Sequence, residues 1–150
     1  AGYYYDSSYN SYASHGRYGH LDDLVQLPGS IVHKDQHDMY ELPVSNLCWG
    51  KKVMPWSGGG YFRLMPFAVF WTGVKKILKD QGSYLFYMHP WEIDPDQPRI
   101  VDLPWSYRFR HYVNLASTYN KLSKLMLNLQ DHRFLTCYEY IREVELDLRV

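Results

Sequence analysis

Apolar positions along this chain change period several times, and each change predicts an element. Between Pro66 and Lys79, residues Phe67, Phe70, Trp71, Val74, Ile77 and Leu78 recur at helical spacing and make one buried face. Pro66 suits the first turn. Lys75, Lys76 and Lys79 crowd the last turns, where cations complement the helix dipole, and Gly82 offers a left-handed stop. The apolar run Tyr84-Leu85-Phe86-Tyr87-Met88 follows, bounded by Gly82 and Pro90. Such a run predicts a buried strand, in a parallel sheet with both faces covered. His89 then stands at the strand's C-terminal end, with Trp91, Glu92 and Asp94 in the loop beyond it. In α/β folds that end is where polar residues build active sites. Helix followed closely by strand is the α/β rhythm.

The remaining segments are read the same way. Leu122, Leu125, Met126 and Leu129 share a face, predicting a helix over 118–129 with Ser117 as cap. Thr136-Cys137-Tyr138-Glu139 has capping-box spacing and predicts a helix over 137–144. Tyr40, Leu42 and Val44 alternate, predicting a short strand over 39–45; Pro43 assigns it to a sheet edge or a strand end. Phe134-Leu135 reads as a short strand, and 145–150 as strand or tail. Residues 46–57 read as a connection exposing Lys51 and Lys52, and 95–113 as a long loop with Pro95, Pro98, Pro104 and several arginines. Arg108, Arg110 and His111 within it either line a site or are solvated. Residues 1–30 lack period; Tyr3–Tyr5 can close a strand that places Asp6-Ser7-Ser8 at its end, while Arg17, Asp22 and Asp23 read as solvated. Three consecutive glycines, Gly58–Gly60, mark an unusual turn or a close approach of backbone, either a tight loop entering a helix or a loop that lines a ligand site. No Gly-Lys-Ser/Thr follows, so they are not a phosphate loop.

Composition changes this picture in two respects. The 16 basic residues balance the 16 acidic ones, which argues against a nucleic-acid partner. Aromatics make up 17% of the chain, with 15 Tyr and 5 Trp. Flat rings with polar edges suit the C–H faces and hydroxyl rims of sugars, and suit an aromatic core equally. Length allows one domain with a core. No apolar run approaches membrane-span length, and no secretory leader opens the chain. Cys48 and Cys137 fit no metal-ligand pattern and read as core thiols. Residue 1 is Ala, and the first line already resembles the end of a strand, so the chain reads as the later part of something longer.

Among chemistry candidates, His89 can be a general acid, a general base, a metal ligand or a hydrogen-bonded core histidine. His33 and His37 have ligand-like spacing for a helix, but their surroundings are charged and aperiodic, and an exposed loop is the simpler reading. Glu92 and Asp94, two apart, would share a face if extended, as a glycosidase pair would; a solvated loop is again simpler.

Four stretches then stand together in order. They are Gly58-Gly59-Gly60-Tyr61-Phe62-Arg63-Leu64-Met65-Pro66, Phe86-Tyr87-Met88-His89-Pro90-Trp91-Glu92, Asp94-Pro95-Asp96-Gln97-Pro98-Arg99-Ile100 and Phe109-Arg110-His111-Tyr112-Val113-Asn114-Leu115. Together they resemble the C-terminal region of exosortase-associated polysaccharide deacetylases, which are NodB-like carbohydrate esterases. Gly2-Tyr3-Tyr4-Tyr5-Asp6-Ser7-Ser8 resembles the segment that precedes it. The resemblance implies the fold class: α/β, the C-terminal part of a distorted (β/α) barrel of the NodB-like type, incomplete in this chain. Residues 1–150 would be that portion, with the family's extension over about 50–150. It implies removal of N-acetyl groups from an N-acetylhexosamine glycan in exopolysaccharide biosynthesis, with a divalent metal, zinc being the expected ion, polarising the acetamide. In that scheme His89 is the acid for the leaving amine, and Asp6 orients a catalytic arginine lying upstream. Tyr61, Arg63, Tyr87 and Trp91 line the substrate groove. Tyr87 departs from the family, which usually has Leu there against the acetyl methyl. The family's paired-aspartate, His-x-x-x-His and arginine-proline motifs should precede Asp6 and do not; Asp22-Asp23 and His33/His37 imitate two of them but come after Asp6. The expectation is therefore a chain that needs an N-terminal half, holds no catalytic metal alone, and is inactive by itself. Bacterial cytoplasm and cell envelope both remain open as its location. A non-catalytic carbohydrate-binding or scaffolding module, stacking sugars on Tyr61, Trp91 and Trp105, is the alternative.

Overall fold

The computed structural model describes residues 2–9, 24–50, 52–100 and 102–149. It is a mixed α/β structure with two sheets and five α-helices among the described residues, and they form no closed barrel. Arg17, Asp22, Asp23 and Lys51 lie outside them.

Four two-residue strands make the first sheet: β1 (Tyr5–Asp6), β2 (Val25–Gln26), β3 (His33–Lys34) and β4 (Tyr40–Glu41). Their order is β1-β4-β3-β2; β1 runs parallel to β4, and the other two pairs are antiparallel. The strand expected over 39–45 is thus the short β4. It sits between two neighbours, and Pro43 falls just beyond its end, as a residue without an N–H must. α5 (Cys137–Asp147) covers this sheet, and Val32, Tyr40, Leu42, Ile141 and Val144 form its core. Thr136 caps α5 as its sequence predicts: its hydroxyl accepts from Glu139 N at 3.2 Å, and the Glu139 carboxylate accepts from Thr136 N at 2.8 Å. The helix runs three residues past the expected 144.

The second core joins the hairpin β5 (Asn46–Trp49) and β6 (Lys52–Pro55) to three helices: α1 (Gly59–Leu64), α2 (Phe67–Gln81) and α4 (Leu115–Asn128). Leu47, Trp56, Phe62, Phe70, Val74, Ile77, Leu125 and Leu129 fill it. Phe62 meets Phe70 and Phe86 edge-on, the geometry aromatic quadrupoles favour. α2 is the helix the sequence predicts, with Pro66 before it and Gly82 closing it at φ 72°. Gly73 is a close approach: a Cβ there would lie 2.1 Å from Trp56 Nε1, which donates to Phe70 O.

The segment 83–88 differs from its prediction in an informative way. It is extended, but its main chain forms only one isolated parallel bridge, Gly58 with Tyr87. Its side chains nevertheless serve both cores by strand-like alternation: Tyr84 and Phe86 pack on the second, Leu85 on the first. Both faces are covered over Tyr84–Phe86, so the run is apolar there. Leu85 N donates to Ser45 Oγ instead of to a ladder.

Other expectations are corrected. Residues 46–57 hold the β5–β6 hairpin, with Gly50 at φ 58° in its turn. The long loop over 95–113 contains α3 (Trp105–Tyr112). α4 begins at Leu115, earlier than expected, after Asn114 in the left-handed conformation. Phe134-Leu135 forms no strand, and Cys48 is exposed, not a core thiol.

Candidate functional site

The site is built where the 83–88 segment stops. Pro90 begins a 3₁₀ turn (Pro90–Ile93), and His89 is its N-cap residue. His89 N donates to Glu92 Oε1 at 3.0 Å, so the turn's own carboxylate fixes the histidine backbone. The other oxygen, Oε2, accepts from Arg63 Nε at 2.9 Å. Both side chains of this ion pair are 3% exposed. A buried pair is tolerated when its remaining donors are satisfied, and here they are. Arg63 Nη1 donates to His111 O and Val113 O, and Nη2 to Arg110 O. One guanidinium thus ties α1, the 3₁₀ turn and the end of α3 together. Asn114 Nδ2 donates back to Arg63 O, closing the joint.

Two of the three glycines follow from this arrangement. A Cβ on Gly59 would lie 2.2 Å from Glu92 Oε2, inside the carboxylate. A Cβ on Gly58 would meet the Tyr87 hydroxyl at 3.2 Å. The glycines therefore enter a helix, and the groups that approach two of them closely are the chain's own side chains.

Above the ion pair lies a row of rings. His89 is exposed and stacks near Trp91, centroids 5.7 Å apart and planes 10° apart. Trp91 stacks on His111 at 4.2 Å, and Tyr87 meets His89 edge-on at 6.2 Å. The Arg63 guanidinium stands 5.2 Å from the Trp91 ring centre, a cation–π distance. His111 Nε2 is 3.0 Å from Gln97 Oε1, while the Gln97 amide nitrogen donates to Trp91 O and Asp94 O. Two carbonyl partners fix the amide's orientation, so Nε2 of His111 carries the proton it donates to Gln97. Tyr61 is exposed on α1.

The residues named from sequence fall into two groups. His89, Tyr87, Trp91 and Arg63 come together, Arg63 as the buried support beneath the rings. Asp6 belongs to the other core: its Oδ1 accepts from Ser7 N at 2.8 Å and its Oδ2 from Ser8 Oγ at 2.7 Å. Its neighbour across the parallel pair is Glu41, which is buried and accepts from Tyr9 N at 2.8 Å. Burial pushes the Glu41 carboxyl up, the Asp6 charge adds to this, and the Tyr9 and Ser8 backbone N–H groups oppose it. Glu92 and Asp94 do not pair: Glu92 is committed to Arg63, and Asp94 accepts from Asp96 N. The rings of His111 and the amide of Gln97 are site parts that the sequence left in a loop.

The model of one family matches residues 7–142. The chain belongs to the family described as a domain of unknown function, DUF3473. No curated protein and no solved structure matches it. The four stretches quoted above all lie within the DUF3473 match.

The DUF3473 chain also offers a test for the implied metal. Among the described residues no three His, Cys, Asp or Glu side chains gather closely enough to hold an ion. His33 lies in β3 with Nδ1 3.1 Å from Ile31 O, and His37 lies in the exposed turn before β4. These residues do not fit a divalent metal. No helix among the described residues is long and apolar enough to cross a membrane. A separate cleft of about 670 Å³ lies against the first sheet and the end of α2, lined in part by Tyr9, His33, Asn46, Cys48 and Asp80. None of the ring residues borders it.

Proposed function

We propose that this chain is the acid-bearing portion of a polysaccharide N-deacetylase that acts on an N-acetylhexosamine glycan, in exopolysaccharide biosynthesis. One observation supports this above the rest. An exposed imidazole, His89, is fixed through its own backbone by a buried ion pair and stands beside an indole face. Amide cleavage needs a proton for the leaving amine, because an amide anion is too poor a leaving group in water. A positioned imidazolium supplies that proton as the C–N bond breaks. Trp91, Tyr87 and Tyr61 offer aromatic surface to the sugar's C–H face, and Arg63 holds Trp91 and Glu92 from below. Resemblance to the exosortase-associated deacetylases supports the substrate class and assigns metal binding and water activation to residues outside this chain. Asp6 would orient an arginine from that same region, with Ser7 and Ser8 holding the carboxylate in place.

The test uses the complete protein. His89→Ala should lower acetate release from an N-acetylated glycan about 10²–10⁴-fold, the usual span for losing a general acid. Undiminished turnover rejects the role. The exposed rings also fit a glycan-binding module without chemistry. Glycan affinity with no acetate release from the complete protein would favour that reading.

A further inference from the structure

α3 carries a surface that the deacetylase reading does not use. It is the one helix of eight residues or more among those described that buries none of its residues. Its last turn is nevertheless anchored, because Arg63 holds the carbonyls of Arg110 and His111. The helix is therefore fixed in place while its outer face stays bare. Trp105, Phe109 and Tyr112 stand at i, i+4 and i+7 and form one stripe. Trp105 is 76% exposed and stacks on Phe109 with centroids 5.4 Å apart. His111, which faces Trp91, is about 120° round the helix from Trp105 and meets Tyr112 edge-on at 4.6 Å, so the stripe adjoins the ring row at Tyr112 and turns away from it towards Trp105.

Two arginines border the stripe. Arg108 flanks it on the helix, and the Arg99 guanidinium lies 5.2 Å from the Tyr112 ring centre. Ile100, 59% exposed, adjoins Tyr112 through its N–H to the phenol oxygen at 2.9 Å. The nearby acid on this side is Asp102, just before the helix. Asp94 and Asp96 sit by Gln97, on the His111 side. The chain as a whole is neutral, so the cationic character is local.

We infer that this face of α3 docks on an anionic lipid surface. Rings with apolar bodies and polar edges settle at the headgroup boundary, an aliphatic residue enters it, and arginines pair with headgroup phosphate while their stems lie along the apolar face.

Flotation of the complete protein tests the inference, with vesicles of phosphatidylcholine alone and with phosphatidylglycerol added. Binding should require phosphatidylglycerol and weaken in about 0.5 M salt, which shortens the reach of charge to a few ångströms. Arg99→Gln with Arg108→Gln should weaken it about 25-fold, roughly fivefold for each arginine near the surface. Trp105→Ser with Phe109→Ser should abolish it; thermal melting checks that each variant is folded, and the arginine pair decides if the aromatic pair is not. Absence of binding to the anionic vesicles overturns the inference. So does equal binding to both vesicles, or retention on an acidic polysaccharide with none on lipid.

Discussion

Glu92 is the residue through which the site is assembled. Its two oxygens hold His89 N and Arg63 Nε, and Gly59 leaves them the space. Glu92→Gln keeps the shape but gives one of those two donors an N–H instead of an acceptor, and it leaves Arg63 as a buried cation. The expected loss is about 3–5 kcal/mol of unfolding free energy in urea titration, the usual result of breaking a buried pair from one side. A change below about 1 kcal/mol, the range of exposed pairs, would show that the pair is solvated in solution. Glu41 predicts an opposite sign. The folded protein raises its carboxyl, so folding favours the protonated form. That contribution is full below the ordinary carboxylate pKa and is lost as pH rises through the folded value. Glu41→Gln should therefore be more stable than the parent at about pH 7, with the gain shrinking as pH falls through the folded value and gone by about pH 4, where Glu is ordinarily protonated. Thermal melts across that window check it, and a pH-independent difference would contradict it. The sequence pattern pointed to His89, because an apolar run ending in a histidine marks a boundary, while Tyr87 and Trp91 were named through the family resemblance. It placed Glu92 in a solvated loop, since one acid in a turn does not reveal that an arginine 29 positions earlier reaches it.

Elements with local signals were legible, and those defined by distant partners were not. α2 and α5 carry their own stops: Gly82 in one, the Thr136–Glu139 box in the other. Thr136→Ala should cost about 1 kcal/mol, the usual value of an N-cap, measured by urea titration. No loss of stability would mean that the α5 terminus is held by packing alone. α3 escaped notice because it has no buried stripe; Arg63 anchors its end from another helix. The β5–β6 hairpin escaped because its turn glycine, Gly50, sits among lysines and a tryptophan, not between clean alternating runs. The run at 83–88 is covered on both faces only over Tyr84–Phe86, while Tyr87 is exposed. Its lack of a ladder could not be read, because packing between two cores and packing within a parallel sheet impose the same apolar pattern.

At the scale of the molecule, two hydrophobic cores share one extended segment, and the ring row stands where that segment leaves them. Leu85 faces one core, Tyr84 and Phe86 face the other, and His89 comes next into solvent. Asp6 rises from the first core and the Trp91 rings from the side of the second. The central claim is that His89 gives a proton to a departing amine. Hydrolysis of an aryl acetate ester isolates that step, because a phenolate leaves without protonation. The complete protein and its His89→Ala variant should be compared on an N-acetylated glycan and on such an ester. The account predicts that the variant loses about 10²-fold or more on the amide while the ester is cleaved at nearly the parent rate. Equal losses on both substrates, or none on the amide, would contradict it.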